Sequence, residues 1–400
     1  MALMPVEQAR DQILKTGKVL AVEQIPLGDC LGRVLALDVK AKRNQPPFDA
    51  SAMDGYALRN VDIKTLPETL DIVGVAAAGH AFKGQVKAGQ AVRILTGAPM
   101  PKGADTIVVQ ENTTLNGAQI IISEATIMGK HIRPSGMDFA KGALLVPRAT
   151  KLNARDIGLI AAGNIATLKV HRRPRVVLFT TGDELVLPGE RPRADQITSS
   201  NNSALSAMLN AWGADVINLG IIADNLKSIK RAIAKAEGVD LLITTGGASV
   251  GDHDYVQQAF IESGVKINFW KIAMRPGKPF MFGTKKKLRV IGLPGNPVAA
   301  LVCARLFVKP FVERLSGLLI SNSEQTAVLG EALPQNDQRQ DYLRATLQIE
   351  NNGSRIATAF KIQDSSMQRH LRNSDCLIIR PPHAPALAGG ELVPILMLDF

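Results

Sequence analysis

Between residues 172 and 317, short apolar, β-branched runs alternate with stretches of helical period. This alternation constrains the fold of the 400-residue chain more than any other feature. RVVLFTT, DVINLGII, DLLITT, KINFW, PFMFG and VIGLP read as strands; Asn201–Ala211, 225–236, the segment after Tyr255 and the run 297–315 read as helices. Strands apolar at nearly every position are covered on both faces, so the pattern predicts a doubly wound α/β domain with a mainly parallel sheet. Ligands of such sheets lie beyond the carboxyl ends of the strands. Those ends read TTGDE, GIIADN, TTGGASVGDHD and LPGNP, which gathers glycine turns and the acids Glu184, Asp224, Asp252 and Asp254 on one edge.

The stretch DLLITTGGASVGDHDY, residues 240–255, is the densest of these. Gly246 and Gly247 let the backbone reach positive φ and let a ligand approach main-chain N–H groups, and Ser249 adds a hydroxyl. Asp252 and Asp254 open the next helix. They serve as helix caps or, beside a glycine cradle, as ligands of a hard divalent cation such as Mg²⁺, which is held by one or two carboxylates plus substrate phosphates. Four acids on one edge repel one another, which itself argues for a bound cation. After a further strand, RPGKP places Arg275 and Lys278 on a proline-fixed turn, either as solvated loop charges or as a clamp on an oxyanion. In LPGNP, Pro294 and Pro297 frame a tight entry to a helix, an arrangement shared by ordinary helix starts and anion sites.

The flanks differ in texture. An amphipathic helix is expected over 5–15 and a short second one over 29–36; residues 45–136 carry short β-prone runs, with a hairpin at Asn116-Gly117; and helix returns at 152–165 with Asn153 as its cap. The expected organisation is a discontinuous linking domain (1–44 and 137–171), an inserted β domain (45–136), the α/β domain (172–317) and a C-terminal β domain (318–400) with a hairpin at Asn352-Gly353.

Composition narrows the function. A net charge of +11 is either a solubility feature or a sign of anionic partners; with only 4% aromatic residues and no basic tract, a small oxyanion or phosphate ligand is preferred over nucleic acid. No apolar run has membrane-spanning length and MALMPVEQAR lacks a signal core, so a cytoplasmic setting is expected. Cys30, Cys303 and Cys376 lack metal-ligand spacing, and neither a nucleophilic triad context nor a Walker A motif occurs.

Seven stretches together resemble one family, the molybdopterin molybdenumtransferases or MoeA-like enzymes: PPFDASAMDGYAL (46–58), RILTGAPMPKGADTIVVQE (93–111), RPSGMDFAKG (133–142), TTGDEL (180–185), TTGGASVGDHDY (244–255), RPGKPFMFG (275–283) and GLPGNPV (292–298). The resemblance implies a homodimer, no membrane, and insertion of molybdenum from molybdate into adenylylated molybdopterin with release of AMP and use of Mg²⁺. It implies functional roles for Asp54, Thr96, Asp138, Glu184, Asp224 and Asp254, of which Asp224 and Asp254 would hold the metal, and oxyanion contacts by Ser249, Lys278, Arg344 and Ser365; the reading of the residues adds substrate contacts by Gly246, Gly247, Arg275, Pro294 and Pro297. A partner that adenylylates molybdopterin is implied as well. The sequence departs from the family pattern at Arg275, where lysine is common, at Ser199, and at Asp364, which sets a carboxylate beside Ser365. Two alternatives share the fold: a molybdopterin adenylyltransferase and a non-catalytic scaffold.

Overall fold

A computed structural model describes residues 3–124, 126–246, 255–320 and 324–400. It forms two compact units, one of Met1–Glu23, Gly32–Val34 and His171–Phe400, the other of Gln24–Leu31 and Leu35–Val170.

The larger unit is built on a six-stranded sheet. Its elements are β1 (Arg175–Thr181), α1 (Asn201–Ala211), β2 (Asp215–Ile222), α2 (Leu226–Ala234), β3 (Leu241–Thr245), α3 (Tyr255–Glu262), β4 (Lys266–Trp270), β5 (Met281–Lys285) and β6 (Leu288–Leu293). The strand order is β2-β1-β3-β6-β5-β4. β2, β1, β3 and β6 are parallel, and β5 is antiparallel to both β6 and β4. Because side chains alternate across a strand, Val176 and Leu178 join one apolar cluster with Leu241 and Ile243, while Val177 and Phe179 join another with Leu242. Both faces of the central strands are thereby covered. At the amino edge the Arg172 guanidinium forks onto both oxygens of Asp240, each at 2.7 Å, and fixes the start of β3.

Beyond β6, residues 297–315 run as helix, one turn of π-helix and helix again (Pro297–Cys303, Ala304–Val308, Lys309–Leu315). Phe307, Val308, Phe311 and Val312 bury against Tyr342, Leu377, Ile379 and Leu396 of the C-terminal strands, and the N-terminal helix Val6–Thr16 adds Val6, Ala9 and Ile13 to the same core. The expected linking role for residues 1–44 is thus not shared by this helix. The C-terminal strands Glu324–Leu329, Gln340–Ile349, Arg355–Ala359, Cys376–Arg380 and Leu392–Met397 close into a barrel, since Gln340–Ile349 pairs with both Arg355–Ala359 and Cys376–Arg380. Met274–Arg275 adds in parallel to this barrel, at Gln340 and Asp341. One short pairing therefore ties the turn after β4 to the barrel.

The smaller unit carries a six-stranded sheet of residues 55–122, with the Thr113–Asn116 and Gln119–Ile122 strands joined by the expected tight hairpin. Its helix Ala154–Ala162 starts at a capping box of Asn153 and Asp156. The second helix expected over 29–36 does not form. A 3₁₀ turn spans only Leu27–Asp29, after which Leu35 and Ala36 donate to the carbonyls of Thr150 and Lys169. Those non-local partners hold the backbone extended and override a helical spacing of apolar residues.

Candidate functional site

The carboxyl edge of the larger unit's sheet opens into a cavity of about 600 Å³. Strand order gives it a polarity. At one end, β1 and β2 run out into Glu184 and Asp224; in the middle, β3 and β6 run out into Gly246 and Pro294-Gly295-Asn296; at the other end lie Lys271, which follows β4, and the turn 275–279 that leads into β5. Arg339, Gln363, Asp364 and Ser365 of the barrel complete the wall.

At the acidic end, burial raises the carboxyl pKa of Asp224, and Asp183 and Glu184 add to the rise by like-charge repulsion; a contact with the Thr181 hydroxyl partly opposes it. Asp224 Oδ1 is buried and forms no hydrogen bond of ordinary geometry among the described residues. The Asp183 carboxylate accepts from the Asp224 backbone N–H at 3.2 Å, so Asp183 serves the loop and not the cavity. In the middle, Gly246 has φ +83°, and a Cβ there would collide with the Thr181 carbonyl oxygen. Asn201 Nδ2, at the start of α1, donates to Thr245 Oγ1 at 3.0 Å and to the Gly295 carbonyl at 2.8 Å, joining the ends of β3 and β6.

At the basic end, Gly277 (φ +121°) lies directly on the buried thiol of Cys303, where any side chain would clash. This seats the turn, which puts Lys278 on the cavity wall. Lys278 is exposed and has no carboxylate partner among the described residues. Lys271 Nζ lies 4.3 Å from the ring centre of Trp270. Arg275 behaves differently from the oxyanion-facing cation expected from the sequence: its Nε donates to Asp341 Oδ2 at 3.1 Å, its Nη2 pairs with the same oxygen, and its Nη1 reaches Asp337 at 3.4 Å. Hydrogen bonding to Asp341 raises its pKa further, so its charge is already spoken for.

Arg344 also departs from expectation. It is 1% exposed and does not line the cavity. Its backbone N–H and Nε donate to Gln363 Oε1 at 3.0 and 3.2 Å, and its Nη1 donates to the Met367 carbonyl at 3.2 Å. Gln363 Nε2 returns hydrogen bonds to the carbonyls of Arg344 and Phe360. Burial pushes the Arg344 pKa down, opposed in part by Asp364. Arg344 therefore shapes the loop that carries Ser365 from behind. Asp364 stays on the cavity wall, but Ser366 donates to its Oδ1 from both its hydroxyl, at 2.6 Å, and its backbone N–H, at 2.8 Å, and these bonds lower its pKa. Pro297 occupies the first helical position and does not line the cavity.

The structure thus brings together Glu184, Asp224, Gly246, Arg275, Lys278, Pro294 and Ser365. Gly247, Ser249 and Asp254 lie outside the described residues, and among the described residues no three acidic, histidine or cysteine side chains form a metal-binding group. Asp54, Thr96 and Asp138 belong to the smaller unit. There Asp54 Oδ1 accepts from Thr96 N and Oγ1, both at 2.7 Å, and the backbone bond first, then the hydroxyl, lowers the Asp54 pKa. Asp138 lines a separate hollow of about 550 Å³ with Pro46, Phe48, Arg133 and Met137, where Phe48 is 41% and Met137 67% exposed. Sequence reasoning missed Lys271, Asn296, Arg339 and Gln363. Lys271 was accessible by the strand-end rule, because it follows KINFW directly.

Comparison with known proteins accounts for nearly the whole chain. Residues 4–163 match the MoeA N-terminal region (domain I and II), 177–314 a probable molybdopterin binding domain, and 326–398 the MoeA C-terminal region (domain IV). A protein of Nostoc sp. named molybdopterin molybdenumtransferase is 36% identical over 94% of this chain and 89% of its own length. One of the same name from Haemophilus influenzae is 34% identical over 98% of both. A crystal structure of a molybdopterin biosynthesis MoeA protein from a Pyrococcus species superposes with a TM-score of 0.84 at 29% identity, covering 99% of each chain.

Proposed function

This chain belongs to the MoeA family of molybdopterin molybdenumtransferases, and from that premise we propose that its larger cavity is where molybdenum from molybdate enters adenylylated molybdopterin and AMP leaves. The chain is a transferase of molybdenum cofactor biosynthesis. The observation that carries the assignment to the cavity is its polarity: the carboxylates Glu184 and Asp224 at one end, glycine turns between, and Lys271 and Lys278, without a carboxylate partner among the described residues, with the Ser365 hydroxyl at the other.

A dianion such as molybdate needs positive charge and hydrogen-bond donors, which Lys278, Lys271 and Ser365 offer. Arg275, paired with Asp341 and Asp337, holds the turn, and Arg339 is paired with Asp337, so neither charge is free for the ligand. The Gly246 and Gly295 backbones leave room for a phosphate to approach the strand ends. Mg²⁺ fits the opposite end. Asp224 has a buried oxygen without a hydrogen-bond partner among the described residues, and its ionised form is opposed by Asp183 and Glu184, so a hard cation held by Asp224 beside Glu184 would relieve that repulsion. When bound it would supply positive charge to the phosphate oxygens of the departing AMP.

The reading includes a homodimer in which Asp54, Thr96 and Asp138 of one chain serve the cavity of its partner. Its support is the hydrogen-bonded but exposed Asp54–Thr96 pair and the exposed Phe48 and Met137 beside Asp138, side chains of the kind an interface covers. It further includes a partner enzyme that supplies the adenylylated substrate, and a cytoplasmic setting. Purified protein supplied with adenylylated molybdopterin, molybdate and Mg²⁺ should release AMP, and supplied with free molybdopterin and ATP should form no adenylylated product. The reverse outcome would make it an adenylyltransferase. Mixing inactive Asp54→Asn and Lys278→Ala proteins should restore part of the activity; subunit exchange without any recovery would exclude the shared site.

A further inference from the structure

We propose that Asn296 is a positioning residue, whose side-chain amide donates to Ser365 Oγ and thereby turns the serine O–H into the cavity as a donor to a ligand oxygen. The inference rests on the reading of the cavity as the molybdate site.

Asn296 precedes the helix that begins at Pro297, a place where asparagine ordinarily accepts hydrogen bonds from the first-turn N–H groups. Here its side chain makes no such bond. Its Nδ2 instead donates across 2.7 Å to Ser365 Oγ, 69 positions further along the chain. The helix has little need of the cap: Pro297 has no N–H to satisfy, and the Val298 N–H donates to the Ser365 carbonyl at 3.0 Å. Ser365 is consequently pinned twice, through its carbonyl by Val298 and through its hydroxyl by Asn296.

A hydroxyl has one proton and two lone pairs. With one lone pair taken by the Asn296 amide, the proton must point away from Nδ2. Asp364 Oδ1 accepts from Ser366, and among the described residues no acceptor takes the Ser365 hydroxyl proton. Asn296 and Ser365 both line the cavity, so the space in front of the hydroxyl is the cavity itself. Molybdate, fully ionised at neutral pH, presents only acceptors, and a serine held as a donor matches it. A serine free to rotate spends part of its time presenting a lone pair, which repels the same oxygen.

Equilibrium dialysis of molybdate against the full chain tests this through a double-mutant cycle. Ser365→Ala should weaken binding about tenfold, the scale of one hydrogen bond to an ion. Asn296→Ala should weaken it several-fold when Ser365 is present and not at all in the Ser365→Ala background. In turnover the same change should raise KM for molybdate and leave kcat at saturation in place. Asn296→Asp, close in shape, adds charge and an acceptor that turns the hydroxyl around; its effect should shrink in the Ser365→Ala background to that of the charge alone. Binding that requires Lys278 and Ser365 but responds equally to Asn296→Ala in both serine backgrounds would overturn the role of Asn296 only. Binding indifferent to both Lys278 and Ser365 would overturn the cavity assignment and this inference with it.

Discussion

Replacing Arg275 should damage the fold before it damages ligand binding. The guanidinium spans the turn and the barrel, with Nε and Nη2 on Asp341 Oδ2 and Nη1 on Asp337. Asp341 is 3% exposed, and its other oxygen has no hydrogen-bond partner among the described residues. Lysine can keep one of the two bonds to Oδ2. Loss of one charge-assisted bond is worth about 1.5–3 kcal/mol when buried, and because the Arg275 side chain is 47% exposed, solvent screening brings this to about 1 kcal/mol for Arg275→Lys. Arg275→Ala removes every bond and leaves a buried carboxylate without its cation; the buried-pair figure of about 3–5 kcal/mol, discounted in the same way, gives about 2 kcal/mol. The pH dependence has a definite sign. Burial raises the Asp341 pKa and Arg275 opposes that rise, so without Arg275 the acid titrates higher still. The folded state then binds its proton more tightly than the unfolded chain, and the penalty of Arg275→Ala is greatest at neutral pH and shrinks as pH falls through the raised Asp341 pKa. Denaturant unfolding of wild type, both variants and Arg275→Ala with Asp341→Asn, at neutral and mildly acidic pH, measures this; the second substitution should recover most of the loss. Unchanged stability together with a large loss of molybdate affinity in Arg275→Lys would refute the reasoning and return Arg275 to the ligand.

Three further outcomes are expected. Lys278→Ala should weaken molybdate binding by about tenfold or more, because a cation without a carboxylate partner among the described residues lines the cavity, and Lys278→Arg should keep part of it; dialysis measures both. Asp224→Asn should be more stable than wild type at neutral pH without divalent cation, since the raised Asp224 pKa marks an ionised form disfavoured by folding, and the gap should close as pH falls through that pKa. Added Mg²⁺ should raise the melting temperature of wild type and not of the variant. Thr96→Val should move the Asp54 titration up toward the ordinary carboxylate range without restoring it fully, because the Thr96 backbone N–H remains. The stability that Asp54 contributes is present above its unfolded pKa and lost as pH falls through the lowered folded pKa, so this window narrows in the variant; carboxyl ¹³C chemical shifts follow it directly.

What the sequence made legible was local or periodic. The central α/β strands could be read because each is apolar or β-branched along most of its length, and Asn201–Ala211 because its helical period is bounded on both sides. The Asn116-Gly117 and Asn352-Gly353 turns fixed two hairpins, and Asn153 marked a helix start. The strand-end rule also placed Glu184, Asp224 and Gly246 on one edge without coordinates. What could not be read depended on partners distant in the chain. Arg275 looks like a ligand-facing cation until Asp341, 66 residues on, takes its charge. Arg344 looks like an oxyanion contact until Gln363 and Met367 enclose it. Asn296 looks like a helix cap until Ser365 is found beside it. Even 29–36 failed for this reason, its backbone being paired with residues near 150 and 169.

The most direct test of the central claim is a single-turnover experiment with adenylylated molybdopterin in which molybdenum transferred and AMP released are counted together at increasing molybdate. The account predicts one AMP per molybdenum incorporated, AMP release that depends on molybdate, and loss of both in Lys278→Ala. AMP release that proceeds equally without molybdate, or molybdenum incorporation with the AMP still attached, would contradict it.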